Sequence, residues 1–233
     1  MTSSNNILFL SSYSPIAQKA FENISTKYNK LNWKHFDMNQ PSNIKEFKEL
    51  DTKGSIIISF LNPYILEKSE LLNAQSSYNF HPASPKYPGR DPQHFAIYNQ
   101  ENKIGATLHS MNESVDSGII FDVIEKSINQ NQSITEIDSL SSKLCYKLLL
   151  KNIHKIINGT IKPSKKWSWD HANKKTRKDF ISYSKITPEM TKQEIDRRIK
   201  AFHVQSYVNK VHVKIKGRYF IFDEDFDSKK NKK

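Results

Sequence analysis

Three isoleucines in succession, within Ser55-Ile56-Ile57-Ile58-Ser59-Phe60, leave that segment no polar side on which to meet water. Strand side chains alternate between faces, so a strand of this composition must be covered on both. Ile7-Leu8-Phe9-Leu10-Ser11 reads the same way. Two such strands near the start of a chain call for a sheet with helices on each face, the layering of a doubly wound α/β domain. The intervening pattern agrees. Ser14 and Pro15 fit the cap and first position of a helix carrying Ala17, Ala20, Phe21 and Ile24. Asn32 to Met38 predicts a second strand and Asn43 to Leu50 a short helix. The expected fold is a Rossmann-like, open, mostly parallel sheet.

Further along, Ser77 to His81 reads as a short strand ended by Pro82, and Phe95 to Asn99 as helical. Ala106 to Met111 and Gly118 to Ile128 predict two more strands. Ser133 and Glu136 form a capping box opening a helix whose apolar positions, Ile137 through Ile153, recur at helical spacing until Asn158-Gly159. Cys145, the single cysteine, lies beside that stripe and reads as packing; it excludes a disulfide framework and a cysteine-based zinc site. Lys162-Pro163 starts a polar, lysine-rich connection, dividing the chain into a domain of residues 1–161 and a small basic extension of residues 162–233. The extension predicts a helix opened by a Thr191/Glu194 capping box, then a β-hairpin over Val211 to Ile221 turning at Lys216-Gly217. Its strand edges could pair two copies in a homodimer.

The net charge of +12 is unevenly placed: residues 1–150 carry 14 Lys+Arg against 15 Asp+Glu, and residues 151–233 carry 22 against 9. A basic last third can meet a polyanion such as RNA, a diphosphate or an anionic membrane surface. The tail Ser228 to Lys233 reads as a frayed, solvated end. No apolar run is long enough to cross a membrane, and polar Met1 to Asn6 lacks the marks of a signal peptide, so the expected address is the cytoplasm.

There is no GxGxxG and no Walker loop, so the sheet comes without a dinucleotide fingerprint. Groups able to do acid–base work gather instead between Asn79 and Asp116. In Asn79-Phe80-His81-Pro82, period-two alternation puts Asn79 and His81 on one face, at the carboxyl end of a strand where open α/β sheets bind ligands. An amide beside an imidazole can donate hydrogen bonds to a developing oxyanion and move a proton. Asp116, on a turn between two strands, could orient a histidine, and Gly118 allows that turn to fold tightly.

Asn79-Phe80-His81-Pro82-Ala83, Pro85-Lys86-Tyr87-Pro88-Gly89, Ala96-Ile97-Tyr98-Asn99, Gly105-Ala106-Thr107-Leu108-His109-Ser110-Met111 and Val115-Asp116-Ser117-Gly118-Ile119-Ile120 occur in the order and spacing of folate-dependent formyltransferases. Each piece is weak alone; together the resemblance is specific here, looser over residues 1–160, and it fades beyond. It implies the formyltransferase fold and transfer of a formyl group from 10-formyltetrahydrofolate to an amine, without a metal. It implies catalytic roles for Asn79, His81 and Asp116, with His109 ranked well below His81 as a base. The pterin is expected against Tyr64, Ile65 and Leu66 on one loop and Asn112, Glu113, Ser114, Val115 and Asp116 on another. The sequence departs from many relatives after Ala83-Ser84, lacking a Leu before Pro85, which bears on the shape of that loop.

Among the family's acceptors, the pattern looks most like sugar N-formyltransferases, which modify nucleotide-linked amino-dideoxysugars for surface polysaccharides such as the O-antigen of bacterial lipopolysaccharide. The expected acceptor is dTDP-4-amino-4,6-dideoxyglucose or its 3-amino isomer, thymidine being favoured over uridine by the family's habits alone. Ser12, Tyr13, Arg90, Trp169, Arg177 and Lys178 are the substrate-binding candidates, the tryptophan offering a face to the base and the cations meeting the diphosphate. The alternatives are a methionyl-tRNA formyltransferase-like enzyme, whose C-terminal domain is larger, and a non-catalytic RNA-binding relative. The second would have a broken Asn/His/Asp set, and this chain keeps all three, so nucleic acid is not the expected partner.

Overall fold

The two isoleucine- and leucine-rich segments lie side by side at the centre of a six-stranded sheet. In the computed structural model, which describes residues 6–129, 131–204, 210–225 and 227, strand β1 (Asn6–Ser11) pairs in parallel with β3 (Ile56–Phe60), Ile7 opposite Ile56. On the other side β1 pairs with β2 (Asn32–Asp37), and the sheet continues from β3 to β4 (Ser76–His81), all in parallel. Strands β5 (Lys103–Ser110) and β6 (Ile120–Ser127) then add antiparallel neighbours, giving the order β2-β1-β3-β4-β5-β6. The direction of winding reverses between β1 and β3, which in open α/β sheets opens a crevice at the carboxyl ends of the strands.

Alternation sorts the core into two layers. Ile7, Phe9, Ile56, Ile58, Phe60 and Phe80 face helices α1 (Pro15–Lys27), α4 (Pro92–Tyr98) and α5 (Ile134–Ile157). Leu8, Leu10 and Ile57 face the other way, onto Phe47 of α2 (Pro41–Glu49) and Leu66. A short helix α3 (Lys68–Asn73) follows the loop after β3. Every residue of β3 is buried; at about 1.5–3 kcal/mol for each fully buried isoleucine side chain, this strand anchors the sheet. The local signals acted as expected: Ser14 Oγ accepts from Ala17 N–H, and Ser133 and Glu136 form both halves of their capping box. Cys145 is fully buried and its thiol pKa is pushed far up by desolvation, as a packing residue requires.

The last third holds more structure than one helix and a hairpin. Thr176 and Asp179 close a capping box on a helix missed in the sequence, α6 (Arg177–Tyr183). It is followed by β7 (Lys185–Ile186), α7 (Lys192–Phe202) and the hairpin β8 (His212–Ile215) with β9 (Arg218–Ile221). At α7 only the Thr191 half of the expected box forms, because Glu194 is engaged by the Tyr98 hydroxyl at 2.9 Å and Arg198 Nε at 2.6 Å. Phe180 and Phe202 are fully buried and join the main core through Phe95, 5.3 Å from Phe202 between ring centroids. Residues 1–5 and 228–233, read above as a polar start and a frayed tail, lie outside the described residues.

Candidate active site

Three strand ends and two loops enclose a cavity of about 580 Å³, in the size range of small-molecule sites. Ser12 and Ser14 beyond β1, Ser59 and Leu61 at the end of β3, and Asn79 to Pro82 at the end of β4 form its floor. Pro82 stops the strand with Asn79 and His81 on one face, while Phe80 between them is fully buried in the opposite layer.

Asp116 is the hub. Its residue is only 5% exposed, and its carboxylate lies between two imidazoles, with His81 Nδ1 at 3.4 Å from Oδ2 and His109 Nε2 at 3.3 Å from Oδ1. Gly89 N–H donates to Oδ2 at 2.8 Å. Burial alone would raise the pKa of this carboxyl, but the charges of His81 and His109 and the amide hydrogen bond outweigh it and hold it well below the usual carboxylate range. Asp116 sits in the left-handed region at φ +48°, a strained backbone that persists only when its surroundings fix it.

The hydrogen bonds also place one hydrogen on each imidazole. His81 Nε2 faces Tyr87 O at 2.9 Å and His109 Nδ1 faces Ser110 O at 2.8 Å. Carbonyl oxygens only accept, so both nitrogens carry hydrogen. Asn79 Nδ2 lies 3.1 Å from His109 Nε2, the same nitrogen that faces Asp116 Oδ1. Asn79 lines the cavity, where its amide can meet a ligand. His109, ranked below His81 in the sequence, thus orients the Asn79 amide; the register of β4 with β5, which sets Asn79 opposite His109, is what brings them together. The loop lacking a Leu before Pro85 is tied down by Thr107 Oγ1 donating to Ala83 O at 2.7 Å and by Tyr87 N–H on Ser84 O at 3.0 Å.

The two loops expected to meet a pterin flank this centre. Tyr64, Ile65 and Leu66 line the cavity from one side, and Asn112, Ser114, Val115 and Asp116 from the other. Asn62, unforeseen in the sequence, organises the first loop: its side chain accepts from Tyr64 N–H at 2.9 Å and donates to Tyr64 O at 3.1 Å. The Tyr64 hydroxyl donates to Glu70 at 2.9 Å, and burial followed by that carboxylate pushes its pKa up to about 12. Ile65 and Val115 expose apolar surface at the mouth, suited to a flat heterocycle held by loop backbone. Glu113 points elsewhere, pairing with Lys68 at 2.6 Å.

The acceptor candidates divide. Ser12 and Arg90 line the cavity, whereas Tyr13 is 65% exposed outside its lining. Arg177 reaches it through Asp91, at 3.6 Å, and Lys178 is exposed on α6. Trp169 stands apart from the expectation of a face for a base. Its indole N–H donates to Gly118 O at 2.7 Å, and its ring packs against His109 and His81, at 4.9 and 5.9 Å between centroids. Among the described residues no cluster of His, Cys, Asp and Glu could hold a metal ion, and no helix is long and apolar enough to cross a membrane.

Comparison with known proteins bears on the family and the fold. The chain is 28% identical over 154 residues to methionyl-tRNA formyltransferase of Clostridium novyi, covering 65% of this chain and 48% of that one. It thus spans about half the length of the curated relatives it matches. Its fold is that of a sugar N-formyltransferase from a Shewanella species, with a TM-score of 0.74 at 17% identity over 93% of this chain and 96% of that one. It is also that of an N-formyltransferase from Helicobacter canadensis, solved in complex with folinic acid and dTDP-3-aminofucose, with a TM-score of 0.67 at 22% identity over 91% and 84% of the two chains. A family model described as formyl transferase matches residues 16–153, more than half of the sequence, and the chain therefore belongs to the formyl transferase family.

Proposed function

We propose that the protein transfers a formyl group from 10-formyltetrahydrofolate to the amine of a nucleotide-linked amino-dideoxysugar. The observation that carries the reading is the Asn79–His109 and His81–Asp116 pairing at the floor of a cavity flanked by the loops at Tyr64 to Leu66 and Asn112 to Asp116. The bound folate supplies the formyl group. The residues of the chain do the rest. When a neutral amine adds to the formyl carbon, the carbonyl oxygen gains charge; the Asn79 amide donates to it, and His81 supplies a second donor once its Nε2–H leaves Tyr87 O. Asp116 holds His81 in place, and the proton lost by the attacking amine passes through this pair to the departing nitrogen. Preorganised donors of this kind are each worth about 10²–10³ in rate.

The nucleotide sugar is favoured over charged tRNA by a small-molecule-sized cavity and by the likeness to an enzyme whose solved complex holds a dTDP-linked aminosugar. Ser12 and Arg90 line the cavity and would meet the acceptor there, with Arg177, paired to Asp91, adding charge beside it. A cytoplasmic site, with both substrates water-soluble, fits this chemistry, and surface-polysaccharide assembly is the expected use of the product. The test is mass spectrometry of reactions containing 10-formyltetrahydrofolate and a panel of thymidine- and uridine-diphosphate aminosugars, with charged initiator tRNA alongside. A gain of one formyl mass on a nucleotide sugar is expected. Formylation of the tRNA alone would move the basic last third to RNA and overturn the choice of acceptor.

A further inference from the structure

We propose that Trp169 is a positioning residue of the transfer centre: the segment of residues 164–176 straps over the back of the histidines, and Trp169 pins the turn that carries Asp116. The inference rests on the formyl-transfer reading for its kinetic consequence and on geometry alone for the pinning.

The turn needs such an anchor. Asp116 is strained at φ +48°, and two residues on, Gly118 lies so close to β5 that a Cβ there would stand 1.7 Å from Ser110 O. The turn is therefore pressed against the sheet on one side, and on the other its Gly118 carbonyl accepts from Trp169 Nε1 at 2.7 Å. The same indole closes against both histidines, nearly perpendicular to His109 at 89°. Removing water from behind Asp116 strengthens its pairing with His81.

The strap around Trp169 grips both loops that touch Asp116. On the Asp116 side, Ser164 N–H donates to Ile120 O at 2.8 Å, and Lys174 Nζ donates to Val115 O at 2.6 Å. On the Gly89 side, Asp170 N–H donates to Pro85 O at 3.0 Å, Lys175 N–H to Pro88 O at 3.1 Å, and Arg90 N–H to Lys175 O at 2.9 Å. Gly89 in turn gives its N–H to the Asp116 carboxylate. A closed circuit results: from the Asp116 backbone through Gly118 to Trp169, along the strap to Lys175, and back through Gly89 to the Asp116 side chain. The lysine-rich connection that reads as a linker is thus bound to both loops beside Asp116.

The test uses the full chain with Trp169→Phe, which keeps a ring but loses the N–H, and Trp169→Ala. Loss of one neutral hydrogen bond, at about 1 kcal/mol, corresponds to roughly a fivefold effect, and the resulting misplacement of Asp116 adds to it. For Trp169→Phe we expect kcat to fall about five- to tenfold with KM for donor and acceptor within twofold, and a larger fall for Trp169→Ala. Hydrogen–deuterium exchange of the free protein should speed up in peptides covering residues 85–90 and 112–119, while β1 to β3 stay unchanged. A raised KM for the nucleotide substrate with kcat intact would make Trp169 a base contact and overturn the proposal. Wild-type exchange rates in both peptides would overturn it too. Should the wild-type enzyme formylate no acceptor, the functional reading fails, and the exchange data still decide the pinning.

Discussion

Asp116 gathers three partners, His81, Gly89 and His109, and each makes it harder to protonate. Its pKa lies below that of an unfolded Asp near 3.9, so its contribution to stability is fully present above that value and is lost as pH falls through the folded one. Asp116→Asn should therefore flatten the acid limb: between pH 5 and pH 3, the melting temperature of the wild type falls further than that of the variant. Equal slopes would mean that the carboxylate is not paired as described. The pairing was only half legible in the sequence. Strand period and a Pro stop set Asn79 and His81 on one face, Asp116 stood on a turn between two strands, and the resemblance to formyltransferases implied that the three act together. The Asp116 contact to Gly89 spans 27 residues and the Trp169 contact to Gly118 spans 51, distances over which no periodicity reports.

At the scale of elements, the central strands and α5 were readable because burial and capping are local codes: β3 has no polar face and Ser133/Glu136 is a box. The last third was read less well. Its helix α6 is short, and Thr176 with Asp179 is a signal easily passed over inside a lysine-rich run. The half-formed cap at α7 shows tertiary demand prevailing, since Glu194 serves Arg198 and Tyr98. The contact between the strap and the catalytic loops makes a sharp prediction at Gly89. Its φ of +95° disfavours any side chain, and a Cβ would stand 2.2 Å from Lys175 O. Gly89→Ala should cost roughly 1–3 kcal/mol in stability from backbone strain alone, read as a drop in the thermal midpoint, together with a loss of kcat because the Gly89 N–H is displaced from Asp116. A variant with wild-type stability and turnover would show that the strap does not grip this loop.

As a whole the molecule joins a mostly parallel six-stranded sheet with its cavity to a small three-stranded sheet ending in an exposed hairpin. All four residues of β9 are exposed, Tyr219 at 63%, Phe220 at 52% and Ile221 at 61%, an edge that soluble proteins ordinarily protect. Lys214, Lys216 and Arg218 crowd its tip, and Asp223, Glu224 and Asp225 follow its far end. Antiparallel pairing of β9 with a second copy would set basic tip against acidic end, so light scattering is expected to give twice the chain mass of 27.1 kDa, and Phe220→Ser to lower it to one. A wild-type monomer at micromolar concentration would contradict that arrangement. The central claim, that Asn79 and His81 act on a formyl group, is tested most directly by single-turnover formyl transfer to the nucleotide aminosugar in the wild type, Asn79→Ala and His81→Ala. The account predicts rates lowered by about 10²–10³ in each variant with substrate affinities little changed; wild-type rates in either variant would contradict it.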